Sequence, residues 1–277
     1  MLQRKQKALV VEGGAMRGIF AAGVLDAFIA HHNYDFDFCV GVSAGSTNLI
    51  GYLNKQFGRS EKIIKQYATS DKFINFRRFL KGGHLCDVEW LWRESYRREP
   101  LNHQLFCPLW VVTTNVITGQ PHYHQMHGSD LCHSAIVASC AIPVVYRDYP
   151  LINDIPMTDG GIADSIPLEF AYQHGARDIT VILSRPDGYR KRPIFFTGWL
   201  KKLTKEYPNL YKAIRKRHEK YNQTLSFMSS PPKDCKIRII SPPPFFPVKR
   251  FTYSKDKLEL GYQQGLEAGI RFLDNNS

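Results

Sequence analysis

The chain of 277 residues has no stretch approaching the roughly 20 consecutive apolar residues that a helix needs to span a bilayer. Its opening Met-Leu-Gln-Arg-Lys-Gln-Lys runs into an apolar segment too short for a signal h-region and without a cleavage site. A protein of a reducing, cytoplasmic compartment is expected. Cysteine is sparse: the six stand at 39, 86, 107, 132, 140 and 235. None forms a Cys-x-x-Cys pair, which disfavours a zinc ribbon or a thioredoxin-like site. Six are too few to frame a chain this long with disulfides, so buried free thiols are expected. No Walker lysine follows the glycine-rich turn at 13–18, and Ala15 breaks the Gly-x-Gly-x-x-Gly pattern, so neither a P-loop nor a dinucleotide fingerprint is present. There is no helix-turn-helix, zinc-finger or ribonucleoprotein motif, no internal repeat and no low-complexity tract.

What is present is enough for a large core, with 43% hydrophobic and 22% charged residues. One large α/β unit over residues 1–277 is expected. The net charge of +12 is unevenly placed. Residues 1–184 hold 17 basic and 17 acidic side chains, whereas residues 185–220 hold 12 basic and 3 acidic. Such asymmetry points to an anionic partner.

The order of elements is legible from periodicity. Ala8–Val11 is a short buried strand ending in Glu12-Gly13-Gly14. Phe20, Val24, Ala27 and Phe28 then mark one face of a helix. Phe36–Val42 is a second strand, followed by a helix through Leu49 and Leu53. This β-α-β-α start implies a parallel sheet. Residues 60–104 read as helical with a break at Gly82-Gly83. Further strands are expected at Leu109–Thr114, Asp178–Leu183 and Ile237–Ile240, a turn at Ile117–Gln120, a helix at Leu131–Ser139, a hairpin at Asn153-Asp154 and a closing helix at Asp256–Leu273. Residues 186–234 interrupt the alternation and read as a basic helical insertion or cap. Within them Leu203, Tyr207, Leu210, Tyr211 and Ile214 would share one helical face if Pro208 sits in a first turn. A basic amphipathic helix at 199–221 is a candidate for peripheral contact with an anionic membrane.

Three segments carry chemistry. Gly41-Val42-Ser43-Ala44-Gly45 fits Gly-x-Ser-x-Gly, in which serine occupies a sharp strand-to-helix turn and flanking glycines leave room for it. The helix N-terminus that follows offers unpaired amides to a developing negative charge. Gly13-Gly14-Ala15-Met16-Arg17-Gly18 ends the first strand, as a plain turn or as an oxyanion loop of successive amides. Arg17, unfavourable in a first helical turn, serves an anionic group or braces the loop. Asp159-Gly160-Gly161 follows the hairpin and offers a carboxylate as base for a serine. A Ser-His-Asp triad is disfavoured, because its histidine should follow the last core strand and none lies beyond His218. His122, His124 and His127 form the densest histidine cluster. With no carboxylate or cysteine close by, they read as a solvated loop or hairpin sooner than as a metal site.

Together, the segments at 13–18, 41–45 and 159–161 resemble those of bacterial patatin-like phospholipases, in the family's order. Ala138-Ser139-Cys140-Ala141-Ile142-Pro143 is similar to the family's Ala-Ser-x-Ala-x-Pro stretch, and Val111–Gly119 to its strand ending in Thr-Gly. The likeness covers about residues 7–185. It implies a three-layer α/β/α fold on a mainly parallel sheet, with Ser43 as nucleophile and Asp159 as its base. It also implies an oxyanion hole at Gly13, Gly14 and Ala15, helped by Arg17 and Gly18. Gly41, Gly45, Gly160 and Gly161 would shape the turns. A lipid or other ester is the implied substrate, with no metal or organic cofactor. The family usually has glycine where Ala15 stands, so a positive φ there would strain the loop by about 1 kcal/mol. The alternative class is a catalytically weak or inactive patatin-like lipid- or protein-binding scaffold; a nucleic-acid partner, suggested only by charge and supported by no motif, is not expected.

Overall fold

The computed structural model describes residues 5–101, 104–126, 133–194 and 198–276. The strands are β1 (Gln6–Val11), β2 (Phe38–Val42), β3 (Leu109–Asn115), β4 (Pro121–Met126), β5 (Leu151–Ile152), β6 (Ile155–Asp159), β7 (Ala176–Ile182) and β8 (Lys236–Ile240). The helices are α1 (Gly18–Ala30), α2 (Ala44–Leu53), α3 (Arg59–Lys62), α4 (Phe76–Leu80), α5 (Val88–Arg98), α6 (His133–Cys140), α7 (Leu168–Gln173), α8 (Gly198–Leu203), α9 (Pro208–Ser229) and α10 (Lys255–Asp274).

One mixed sheet runs β5-β6-β3-β2-β1-β7-β8, with β4 also paired to β3. The strands β3, β2, β1, β7 and β8 are parallel, and β4 and β6 lie antiparallel to β3. Because side chains alternate along a strand, Leu9 and Val11 enter one core and Ala8 and Val10 the other. The first core includes residues of α1, α2, α5, α6 and α10, and the second residues of α7 and α9. This is the expected three-layer α/β/α arrangement. From β1 the chain proceeds to β2 and β3 on one side and returns to β7 and β8 on the other. The carboxyl end of β1 is therefore a topological switch point, where open α/β sheets form a crevice.

Helix α1 is buried from Gly18 to Ile29, because the sheet covers one side and α10 the other. Gly261, Gly265 and Gly269, one helical turn apart, let α10 approach α1 closely; a Cβ on Gly269 would lie 2.7 Å from that of Ala27. The Tyr262 hydroxyl donates to Asp26 across the same seam at 2.8 Å. This contact holds the C-terminal end of the chain on the body.

One open reading resolves and one expectation changes. The segment at 121–126 is a strand, in a hairpin with β3 closed by Gly119 at φ +72°. Residues 203–214 do not form one helix. Pro208 lacks an N–H and takes the first position of α9, so the chain breaks after α8. Leu210 and Ile214 pack with Val116, Ile162 and Leu200. The apolar face of α9 is thus occupied by the body and unavailable to a bilayer. Helix α6 is described from His133, and Leu131, where the sequence reading begins it, lies outside the described residues. Among the described residues no helix is long and apolar enough to cross a membrane. The five described cysteines are free, and Cys132 lies outside the described residues.

Candidate active site

The register of β3 brings the two halves of the site together. Along one edge it carries β4 from Leu109 to Thr114. Its other edge takes β2 up to the pair Val42–Val112, and then β6 from the next residue, Thr113, opposite Asp159. Strand β2 thus ends at Ser43 where β6 delivers Asp159. The hairpin that feeds β6 turns at Asn153 and Asp154, with φ +51° and +62°, as their sequence suggests.

Ser43 has φ +52° and ψ −126°, a strained conformation that exposes a side chain between strand and helix. Gly41 and Gly45 make the turn sterically feasible. A Cβ on Gly41 would lie 2.6 Å from the Ser46 Cα, and one on Gly45 would run into the Val11 carbonyl. The Ser43 amide donates to Ser139 Oγ at 2.8 Å, and that hydroxyl donates to the Val112 carbonyl at 2.7 Å. Ser139 therefore pins the elbow to β3. The sequence placed it in a family-like stretch but gave it no role.

Asp159 is equally constrained. Its amide donates to the Ala141 carbonyl at 3.1 Å, and its carbonyl accepts from Thr114 Oγ1 at 2.8 Å. Oδ1 accepts from the Gly161 amide at 2.8 Å. Gly160 must lack a side chain, since a Cβ there would collide with the Val112 carbonyl. Burial raises the Asp159 pKa above the usual carboxylate value, opposed by the Arg217 guanidinium, the Gly161 amide and the Ser43 hydroxyl.

The glycine-rich loop lies at the end of β1. A Cβ on Gly13 would sit 2.8 Å from the Val42 carbonyl oxygen, and one on Gly14 as close to Ser184 Cβ. Ala15 has φ +49°, the left-handed conformation that favours glycine. Met16 N–H donates to the Arg250 carbonyl at 3.3 Å and Arg17 N–H to that of Gly14 at 3.2 Å. Among the described residues, the N–H groups of Gly13, Gly14 and Ala15 have no hydrogen-bond partner. Arg17 braces the loop instead of facing Ser43: Nε donates to the Ser184 carbonyl at 3.1 Å and Nη2 to its hydroxyl at 3.3 Å. Burial pushes Arg17 down to about 10. Gly18 lets α1 begin against α2, where Asn48 donates to its carbonyl at 2.7 Å.

Ser43 stands between two spaces. An apolar cavity of about 940 Å³, counting its open mouth, is lined by Ile64, Phe73, Val88, Trp92, Ile136 and others. A polar pocket of about 400 Å³ is lined by Gly13, Gly14, Asp159, Gly161, Arg217 and others. Ala15, Ser43, Ile142 and Arg250 belong to both walls. Arg217 donates from Nε to the Gly161 carbonyl and comes from α9. This corrects its assignment to a membrane-facing basic surface: of that group, Lys212, Arg215 and Lys216 are exposed, whereas Arg217 turns into the site. Nothing in the sequence marked Arg250.

His122 and His124 lie on β4, where His124 shares a hydrogen bond of 2.8 Å with Thr113 Oγ1 and is pushed down to about 4 by burial. His127 lies outside the described residues. Among the described residues no three His, Cys, Asp or Glu side chains are grouped to hold a metal.

A model of patatin-like phospholipases matches residues 9–172, and a domain of unknown function, DUF6363, matches residues 207–277. The uncharacterized protein YjjU of Escherichia coli K12 is 32% identical over 248 residues, covering 85% of this chain and 68% of that protein. The crystal structure of VipD from Legionella pneumophila superimposes with a TM-score of 0.52 at 13% identity, over 98% of this chain and 67% of that one, a likeness of fold. With more than half its length matched, the chain belongs to the patatin-like phospholipase family.

Proposed function

We propose that the chain is a lipid acyl hydrolase in which Ser43 is the nucleophile and Asp159 its base. The observation that carries this reading is the position of Ser43: strained at the elbow, beside a buried carboxylate, between an apolar cavity and a polar pocket. In this mechanism Ser43 Oγ attacks the acyl carbonyl and its proton passes to Asp159. The raised carboxylate pKa makes Asp159 a stronger base than an exposed aspartate. The unpaired amides of Gly13, Gly14 and Ala15 supply donors to the oxyanion, aided by the N-terminus of α2. Asp159 returns the proton to the departing alcohol. Water, deprotonated by Asp159, then cleaves the acyl-enzyme. An acyl chain suits the apolar cavity, and the leaving group the polar pocket. The residues from 1 to 277 act as one unit, because the C-terminal part completes the walls of both spaces.

A fluorophosphonate probe tests the nucleophile. Covalent labelling that maps to Ser43 and disappears in Asp159→Asn supports the reading. An unlabelled, folded wild-type chain sinks it and favours the scaffold alternative.

A further inference from the structure

The polar side of Ser43 holds more positive charge than the protein neutralises. Arg17, Lys191, Arg217 and Arg250 act electrostatically on one another, and the carboxylates acting on them are chiefly Glu12 and Asp159. Glu12 is already engaged, accepting from the Ser184 amide at 2.7 Å and the Tyr221 hydroxyl at 3.1 Å. Arg17 is committed to Ser184. Arg217 uses Nε on Gly161, and it has no carboxylate ion pair among the described residues. Arg250 is half-buried and has no side-chain hydrogen bond or ion pair among the described residues. Both guanidinium groups line the same pocket as Ser43 and Asp159. Burial first, and Arg217 next, push the Lys191 amine down to about 6, so at neutral pH the fixed positive charge of this region lies on the arginines. Two cations in a partly desolvated pocket with spare N–H donors are suited to a tetrahedral anion, which guanidinium binds through paired hydrogen bonds.

We propose that Arg217 and Arg250 form a subsite for the phosphate of a lipid headgroup. This rests on reading Ser43 as the ester-cleaving centre, and it adds which residues of this chain would hold the headgroup phosphate. Only glycerol carbons separate the scissile ester of such a lipid from its phosphate. The acyl chain enters the apolar cavity while the phosphate meets the two arginines. Both lie beyond the patatin-like segment and within the segment matched by the domain of unknown function. Recognition of the headgroup is thereby assigned to that C-terminal segment, which reaches the site through α9 and the loop stitched to Met16.

Binding tests this without turnover. Calorimetry on the full chain would compare octyl phosphate, octan-1-ol and inorganic phosphate, all below micellar concentration. Octyl phosphate is expected to bind at least tenfold more tightly than either of the others, because it fills both spaces. Arg250→Gln, which removes no internal hydrogen bond, should weaken octyl phosphate at least tenfold at an unchanged melting temperature. Arg217→Lys keeps the charge but loses the planar fork, and an intermediate loss is expected. Octanol binding as tightly as octyl phosphate would overturn the subsite, as would indifference to Arg250→Gln. Inorganic phosphate matching octyl phosphate would make this a free-anion site and overturn the headgroup assignment. Labelling of Ser43 reports separately on the nucleophile, so each reading fails on its own.

Discussion

On one side of Ser43 the wall is hydrocarbon, drawn mainly from residues 63–145; on the other it is backbone amide, carboxylate and guanidinium, drawn from positions as distant as Gly13, Asp159, Arg217 and Arg250. The apolar side needs only volume and is tolerant of which residue supplies it. The polar side needs particular groups in particular places, and several are held by specific bonds: Ser139 ties the Ser43 elbow to β3, Thr114 holds Asp159, and Arg217 reaches the Gly161 carbonyl. Substitutions on the two sides should therefore fail differently, one by shifting selectivity and the other by stopping chemistry.

The largest effect is expected at the polar side. Ser43→Ala should lower kcat/KM for p-nitrophenyl esters by on the order of 10³-fold or more while the fold persists, and Asp159→Asn should come close to it. Steady-state rates with circular dichroism check this; a folded Ser43→Ala keeping a tenth of wild-type kcat would refute the nucleophile. The apolar side should respond by selectivity. Ala68, buried in the cavity wall, tolerates no larger group without filling that space. Ala68→Phe is expected to cut kcat/KM for a C12 ester about 10- to 100-fold relative to a C4 ester. Equal loss on both esters would mean that the acyl chain lies elsewhere.

A pH profile sharpens the contrast further. The base must be ionised, so kcat/KM on a short soluble ester should fall as pH drops through the raised Asp159 pKa, an acid limb above the ordinary carboxylate range. Arg217 favours the ionised form, so Arg217→Gln should move that limb to higher pH. Substitutions in the apolar wall should leave it in place. An acid limb that stays put in Arg217→Gln would show that another group controls it.

Smaller effects belong to the surface and to the loop. Lys212, Arg215 and Lys216 are exposed on α9, and each contributes about 1 kcal/mol beside an anionic leaflet. Reversing all three should weaken sedimentation with anionic vesicles in a salt-dependent way and leave soluble-ester hydrolysis intact. Unchanged vesicle binding would remove this face as a membrane contact. The smallest change is expected from Ala15→Gly, which relieves the left-handed strain at φ +49° and should raise stability by about 1 kcal/mol or less. A lower melting temperature would show that the methyl group's contacts outweigh the strain.

Local pattern made much of this legible. Ala8–Val11 had to be a buried strand because it is apolar without alternation, and Gly41–Gly45 an elbow because only that spacing clears the turn. Asn153-Asp154 marked the hairpin because both residues tolerate positive φ. Where local pattern is weak, the reading was weaker. Pro-His-Tyr-His-Gln-Met shows no clear apolar alternation and became strand β4 by pairing with β3. Helix α9 has the composition of a membrane-surface helix, but its apolar residues answer to Val116 and Ile162, which periodicity cannot see.

The sequence by itself marked most of the strands, the Gly-x-Ser-x-Gly elbow, the glycine loop and the Asp-Gly-Gly turn, since each depends on residues within a few positions of one another. Tertiary structure alone decided that β3 hands its edge from β2 to β6, setting Asp159 beyond the end of Ser43's strand. It alone turned Arg17 into a brace and brought Arg217 and Arg250 into the pocket. An arginine's charge is the same on a solvated face and beside a buried serine. Only the packing of α9 against the body and of α10 against α1 decides which way it points.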